Sequence, residues 1–279
     1  MSTIYKSEAG ASEIQRRYRE ALRAWPVPAE HIHVPTRQGE TFVIASGPEQ
    51  APPVLLLHGS GANATMWRND VTTWSRHFRV YAVDLIGEPG LSAPSRPPLD
   101  SDAYALWLDD VLEALAITSA PIVGISLGGW MALDYATRRP DRVTRLALMC
   151  PGGVGRTKSA WLFKAVLLRL FGRRGIRRSA RSVAGLEKLQ DQSVLDDLVL
   201  TFTQFKPRPA QLPRFSGDAL RRLTLPMQVT VGDRDALFDS ADTAQRIRQC
   251  VPHATVRLLP GVGHSIFDQT DSILAFLRA

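Results

Sequence analysis

Cysteine is nearly absent from this 279-residue chain, with only Cys150 and Cys250 present. Two thiols cannot build a disulfide framework, and no C-x-x-C spacing offers a zinc or dithiol site, so a reducing compartment is expected. Lysine is also scarce, at five residues against 29 arginines. Bidentate anion binding and coding composition explain that bias equally well. The opening residues Met1-Ser2-Thr3-Ile4-Tyr5-Lys6 run into polar and charged positions without the apolar core of a signal peptide, so a cytoplasmic location is expected. The apolar stretch at 161–171 is eleven residues long, too short to cross a bilayer. There is no Gln/Asn-rich, collagen-like or Ser-rich tract and no repeat at a fixed period.

What is present suits an ordinary globular protein of one or two domains: 44% hydrophobic and 22% charged residues. The net charge of +7 is unevenly spread. Residues 154–222 hold 15 basic and 5 acidic side chains, a balance of +10 that leaves −3 for the rest.

Apolar residues at helical spacing (Ile14, Tyr18, Ala21, Leu22, Trp25) predict a leading helix over 12–25, stopped by Pro26 and Pro28. Strands are expected at 31–34 and 41–45. The continuous run Val54-Leu55-Leu56-Leu57 reads as a strand covered on both faces of a mainly parallel sheet. From there strands at 80–83, 122–125 and 143–149 alternate with helices at 104–116 and 127–137. About 70 residues with little strand signal interrupt the series. It resumes with a strand at 227–231, a helix near 243–249, a strand at 255–258 and a last helix at 268–277. The expected organisation is a core of residues 1–153 and 223–279 split by an insertion, 154–222.

The sequence Gly124-Ile125-Ser126-Leu127-Gly128 follows an apolar strand and opens a helix. A serine on so sharp a turn needs glycines two positions either side, and the helix N-terminus aims amides at a developing oxyanion. A hydroxyl nucleophile needs a base and the base an orienting carboxylate, both expected after Ser126. His264, in Gly261-Val262-Gly263-His264 just past a strand, is the expected base. His31, His33, His77 and His253 stand at positions suited to surface or core roles. Asp233, Asp235 and Asp239 compete for the acid. Asp235 is preferred because the turn needs a few residues before a side chain can reach back to the imidazole, whereas Asp239 is placed to cap the following helix. The chain order is Ser126, Asp235, His264.

These pieces, with Leu57-His58-Gly59, Tyr81-Ala82-Val83-Asp84-Leu85-Ile86-Gly87, Gly232-Asp233-Arg234-Asp235 and Gly263-His264, resemble an α/β-hydrolase of the lid-bearing, carboxylesterase-like kind. In detail they resemble bacterial carboxylesterases that hydrolyse aryl-propionate esters. The resemblance implies an α/β fold: a mainly parallel central sheet with helices on both faces and a mostly helical lid, here 154–222, between the sixth and seventh core strands. It also implies that the backbone amides of Ser60 and Leu127 form the oxyanion hole. It implies no metal or organic cofactor, and a small-molecule ester rather than nucleic acid as partner. The family often reads D-x-x-G-x-G-x-S after the fourth strand, where this chain has Asp84-Leu85-Ile86-Gly87-Glu88-Pro89-Gly90-Leu91-Ser92. Glu88-Pro89 stand where the pattern has one residue, which changes the loop expected there.

Two other patterns point less far. Gly152-Gly153-Val154-Gly155-Arg156-Thr157-Lys158-Ser159 approaches a phosphate-binding loop but carries Thr157 where a glycine must let the backbone wrap phosphates. The stretch 161–171, followed by Arg173, Arg174, Arg177, Arg178 and Arg181, suits a lid helix with a solvated charged side, an acyl-pocket lining, or a peripheral contact with an anionic membrane surface. A serine hydrolase of carboxylic esters is the leading expectation. Thioesters, C–C bonds and perhydrolysis suit the same three residues, and a non-catalytic ligand- or surface-binding protein is the competing class. The oligomeric state is not legible.

Overall fold

The structure, a computed structural model, describes residues 4–158, 175, 177, 178 and 192–279. Its first helix, α1 (Glu8–Arg23), begins four residues earlier than the periodicity predicts. The Ser7 hydroxyl accepts the Gly10 amide and caps it, and Glu8 complements the dipole. Ile14, Tyr18 and Leu22, one turn apart, form its buried stripe.

An eight-stranded sheet follows: β1 (Ala29–Thr36), β2 (Gly39–Ser46), β3 (Pro53–Leu57), β4 (Arg79–Val83), β5 (Ala120–Ile125), β6 (Val143–Met149), β7 (Met227–Gly232) and β8 (Thr255–Leu259). Their spatial order is β1-β2-β4-β3-β5-β6-β7-β8. β2 runs antiparallel to both its neighbours, and every pairing from β4 to β8 is parallel. The run Val54-Leu55-Leu56-Leu57 in β3 is fully buried. Because side chains alternate along a strand, Leu55 and Leu57 enter one apolar core while Val54 and Leu56 enter the other.

The helices divide accordingly. α3 (Ala103–Ala114), α4 (Leu127–Arg138) and α7 (Ser240–Cys250) supply Trp107, Trp130 and Ile247 to the first core. α1, α2 (Arg68–Trp74) and α8 (Thr270–Arg278) supply Tyr18, Trp74 and Ile273 to the second. The short α2 has too few apolar residues to show a period and is not among the helices expected from sequence. Two predicted helices were too long for a reason of backbone geometry. Ala116 and Asp268 have φ of +54° and +58°, a left-handed conformation that ends α3 early and delays α8.

Residues 150–226 join β6 to β7. They include α5 (Gln192–Gln204) and α6 (Gly217–Arg221). Thr157 bridges Phe238, and Trp130 of α4 donates its indole N–H to the Pro213 carbonyl. Among the described residues, four of the segment's arginines meet acids: Arg156 pairs with Asp239, Arg214 with Asp242, Arg221 with Asp218 and Arg177 with Asp196. The stretch 161–171 and Arg173, Arg174 and Arg181 lie outside the described residues. Among the described residues no helix is long and apolar enough to cross a membrane.

Candidate active site

In an open parallel sheet the strands' carboxyl ends are where loops converge, and all the sequence-predicted site residues stand there. Ser126 joins β5 directly to α4 with φ +54° and ψ −109°. That conformation costs about 1–3 kcal/mol in a residue with a side chain, and it persists only where the surroundings hold it. Here they do. The Ser126 amide donates to Met149, and its carbonyl accepts from Trp130 and Gly152. A Cβ on Gly124 would lie 2.6 Å from the Gly128 carbonyl oxygen, and one on Gly128 2.1 Å from that of Leu57. The two glycines are therefore required by contact between strand and helix. Leu127 is the first residue of α4, so its amide has no acceptor within the helix.

His264 Nε2 lies 3.0 Å from Ser126 Oγ, and its Nδ1 lies 2.8 Å from Asp235 Oδ2. An ionised carboxylate only accepts, so Nδ1 carries the proton and Nε2 is left to accept from the serine hydroxyl. The other carboxylate oxygen, Oδ1, accepts the amides of Leu237 (2.7 Å) and Phe238 (3.1 Å). Burial pushes the Asp235 pKa upward, but the His264 hydrogen bond and charge and these two amides outweigh it and hold the group below its ordinary value. The Phe238 ring stands edge-on to the imidazole.

The loops carrying the acid and the base are pressed together. Arg234 N donates to Val262 O, Gly261 N donates to Asp233, and a Cβ on Gly232 would meet Val262 O at 2.3 Å. Asp233 thus serves the loop. Asp239 caps α7 by accepting the Asp242 amide and pairs with Arg156. Of the three competing aspartates, the fold brings Asp235 to the imidazole. The glycine-rich stretch after β6 also belongs to this neighbourhood, since Lys158 Nζ donates to the Asp235 carbonyl at 2.9 Å. Its lysine is committed to the acid loop.

The loop after β3 passes Ser126 closely: a Cβ on Gly59 would sit 3.7 Å from the Ser126 Cβ. His58 is fully buried and donates from Nδ1 to Gly59 O, while Nε2 accepts the Leu85 amide. Burial lowers its pKa to about 4, so it is neutral. Ser60 is exposed as a residue, yet its hydroxyl donates to Glu88. Thr201 of α5 faces the same loop at Gly61.

Residue types alone did not reveal two neighbours. Glu88 is one. Cys150 is the other: it ends β6 at φ +42°, and its sulfur, a carboxylate oxygen of Asp235 and a ring nitrogen of His264 lie within 4.8 Å of one another. Burial, then the Asp235 charge, raises its thiol pKa. A cysteine after a strand carries no sequence signal for such a position. The remaining histidines stay away from the site. His31 and His33 are exposed on β1 against Phe42, with His33 also on Glu40. His77 is exposed, and His253 meets the Leu225 carbonyl.

The sequence matches the alpha/beta hydrolase family over residues 54–276. It is similar to an uncharacterized carboxylesterase, nap, of Bacillus subtilis strain 168, with 31% identity over 261 residues covering 88% of this chain and 84% of that protein. Carboxylesterase YbfK of the same organism is 30% identical over 254 residues, covering 88% and 86%. Among solved structures the fold resembles carboxylesterase CesB (YbfK) of Bacillus subtilis at a TM-score of 0.85 and 26% identity, covering 96% of this chain and 98% of that one. It also resembles the naproxen esterase (carboxylesterase NP) of Bacillus subtilis at a TM-score of 0.81 and 26% identity, covering 98% and 96%.

Proposed function

The chain belongs to the α/β hydrolase family, and from that premise we propose that it hydrolyses carboxylic esters through an acyl-enzyme on Ser126. The observation that carries the proposal is the continuous row from Ser126 Oγ through the His264 imidazole to the buried Asp235 carboxylate. His264 Nε2 takes the hydroxyl proton as Oγ attacks the ester carbon. Asp235 stabilises the imidazolium that forms and keeps the ring in the required tautomer. The Ser60 and Leu127 amides receive the oxyanion, whose charge appears only in the tetrahedral state. One such donor lowers the barrier by about 3 kcal/mol. The imidazolium then protonates the departing alcohol. A water, deprotonated by the same nitrogen, releases the acid.

The substrate is a small-molecule ester, in keeping with the carboxylesterase relatives. Residues 154–222 act as the lid, supported by α5 facing the oxyanion loop through Thr201. The test is labelling of the purified protein by a fluorophosphonate, followed by turnover of p-nitrophenyl esters of graded acyl length. Labelling confined to Ser126 and lost in Ser126→Ala is expected. An unlabelled serine and no turnover on any ester would return the chain to the non-catalytic class.

A further inference from the structure

The loop that offers the Ser60 amide has little to hold it from within. Ser60 is exposed, Gly61 is left-handed at φ +71°, and the loop's own regular structure is a single 3-10 turn, Ala64–Trp67, leading into α2. Its restraint comes instead from the segment after β4. The Leu85 amide donates to His58 Nε2, the Ala64 amide donates to Asp84 Oδ1, and Asn63 Nδ2 donates to the Pro89 carbonyl. Between these anchors, Glu88 Oε2 accepts both the Gly61 amide at 2.7 Å and the Ser60 hydroxyl at 3.1 Å. Glu88 is 1% exposed, and with Pro89 it stands where the family pattern has a single residue between two glycines. The same loop that breaks the motif therefore grips the oxyanion loop on both sides of the Ser60–Gly61 peptide bond.

We propose that Glu88 is a positioning residue for ester hydrolysis: its buried carboxyl oxygen holds Ser60 through its hydroxyl and through the Gly61 amide that follows it, so that the Ser60 amide, in the preceding Gly59–Ser60 peptide, points at the developing oxyanion. The inference rests on the esterase mechanism proposed above. What the role requires is one acceptor oxygen at the correct reach. Both bonds fall on Oε2, while Oε1 is buried with no hydrogen-bond partner among the described residues. A proton on Oε1 would leave Oε2 as a carbonyl acceptor with both bonds intact, so charge is not needed for the grip. Arg96 and Arg208 face the carboxyl from the loop before α3 and from the insertion, and Tyr5 and Tyr104 feel its charge from the amino-terminal segment and α3. Burial raises its pKa against the opposing pull of the Gly61 amide and the arginines.

Three variants separate reach from charge. In Glu88→Ala the acceptor is gone. In Glu88→Asp the charge stays but the oxygen withdraws by one methylene. In Glu88→Gln a neutral carbonyl keeps the reach. Displacing an oxyanion donor without deleting it is expected to lower kcat about tenfold to a hundredfold in Glu88→Ala and Glu88→Asp, with KM within about threefold of wild type. Affinity for a trifluoromethyl ketone, a mimic of the tetrahedral state, should fall in parallel with kcat. Glu88→Gln should restore most of the kcat lost in Glu88→Ala. Melting temperatures accompany each assay, and if Glu88→Ala does not fold, the Asp and Gln variants decide by themselves. Wild-type kcat in Glu88→Asp, or equal losses in Asp and Gln, overturns the inference while the esterase stands. A wild-type protein without turnover or Ser126 labelling removes the mechanism and the inference with it.

Discussion

Tyr18 of the leading helix donates its hydroxyl to Asp84 Oδ1 at 2.8 Å, and that oxygen also accepts the Ala64 amide beside the oxyanion loop. One fully buried carboxylate thus ties the amino-terminal helix to the loop bordering the site. Its second oxygen holds Leu91 in the loop that carries Glu88. Burial raises the Asp84 pKa from 3.8 to about 6 against these three hydrogen bonds.

The sign of the resulting pH dependence is fixed by that direction. With the folded pKa above the unfolded one, Asp84 contributes stability that is full below pH 3.8 and lost as pH rises to about 6, about 3 kcal/mol in all. His58, lowered from 6.5 to about 4, contributes stability above pH 6.5 that is lost as pH falls, by a similar amount. The two slopes oppose each other over nearly one window. Asp84→Asn, which keeps only part of the hydrogen bonding, should be less stable than wild type, and its deficit should shrink by about 2.4 kcal/mol between pH 4 and 7. Urea unfolding across that range checks this, and a deficit that does not change with pH contradicts it.

Gly128→Ala should lose both fold stability and activity. Its Cβ would meet the Leu57 backbone oxygen at 2.1 Å, an atom of the sheet's backbone at the carboxyl end of β3 that cannot step aside. The expected destabilisation is about 3 kcal/mol or more, by overpacking against rigid backbone. Gly217→Ala is the control, because there the nearest atoms belong to the Arg221 side chain. Calorimetric melting of the two variants compares them directly.

Ser126→Ala and His264→Ala should each lower kcat by on the order of 10⁴ to 10⁶, and the double variant should be little worse than either, because the hydroxyl and the imidazole act as one unit. Single and double variants assayed on the same ester give the answer. Additive losses would mean that the 3.0 Å contact between them is not used in turnover.

Asp235→Asn should lower kcat by on the order of 10⁴, since an amide can neither stabilise the imidazolium nor hold its tautomer. Asp239→Asn should leave kcat within about threefold and act on the α7 cap instead, a loss of about 1 kcal/mol in stability. Asp233→Asn should likewise spare kcat, because its partner is the Gly261 amide. A crippling loss in Asp239→Asn alone would reassign the acid.

Much of this site could be read without coordinates because its determinants are local. The apolar run before Ser126, the glycines at 124 and 128 and the helical spacing after it all act within a few residues, where steric rules leave few alternatives. The same holds for the strand run at 54–57, whose unbroken apolarity already required cover on both faces. Other features depended on contacts between distant segments. Asp233, Asp235 and Asp239 differ little as sequence, and the imidazole's neighbour is decided by how the loops after β7 and β8 press together at Gly232 and Val262. Glu88 read only as a departure from a motif. Its position under Ser60 and Gly61 follows from β3 and β4 lying side by side in the sheet, which brings the loops at their ends within hydrogen-bond reach. Local sterics are written in adjacent residues, whereas which buried carboxylate meets which amide is settled only when the sheet is assembled.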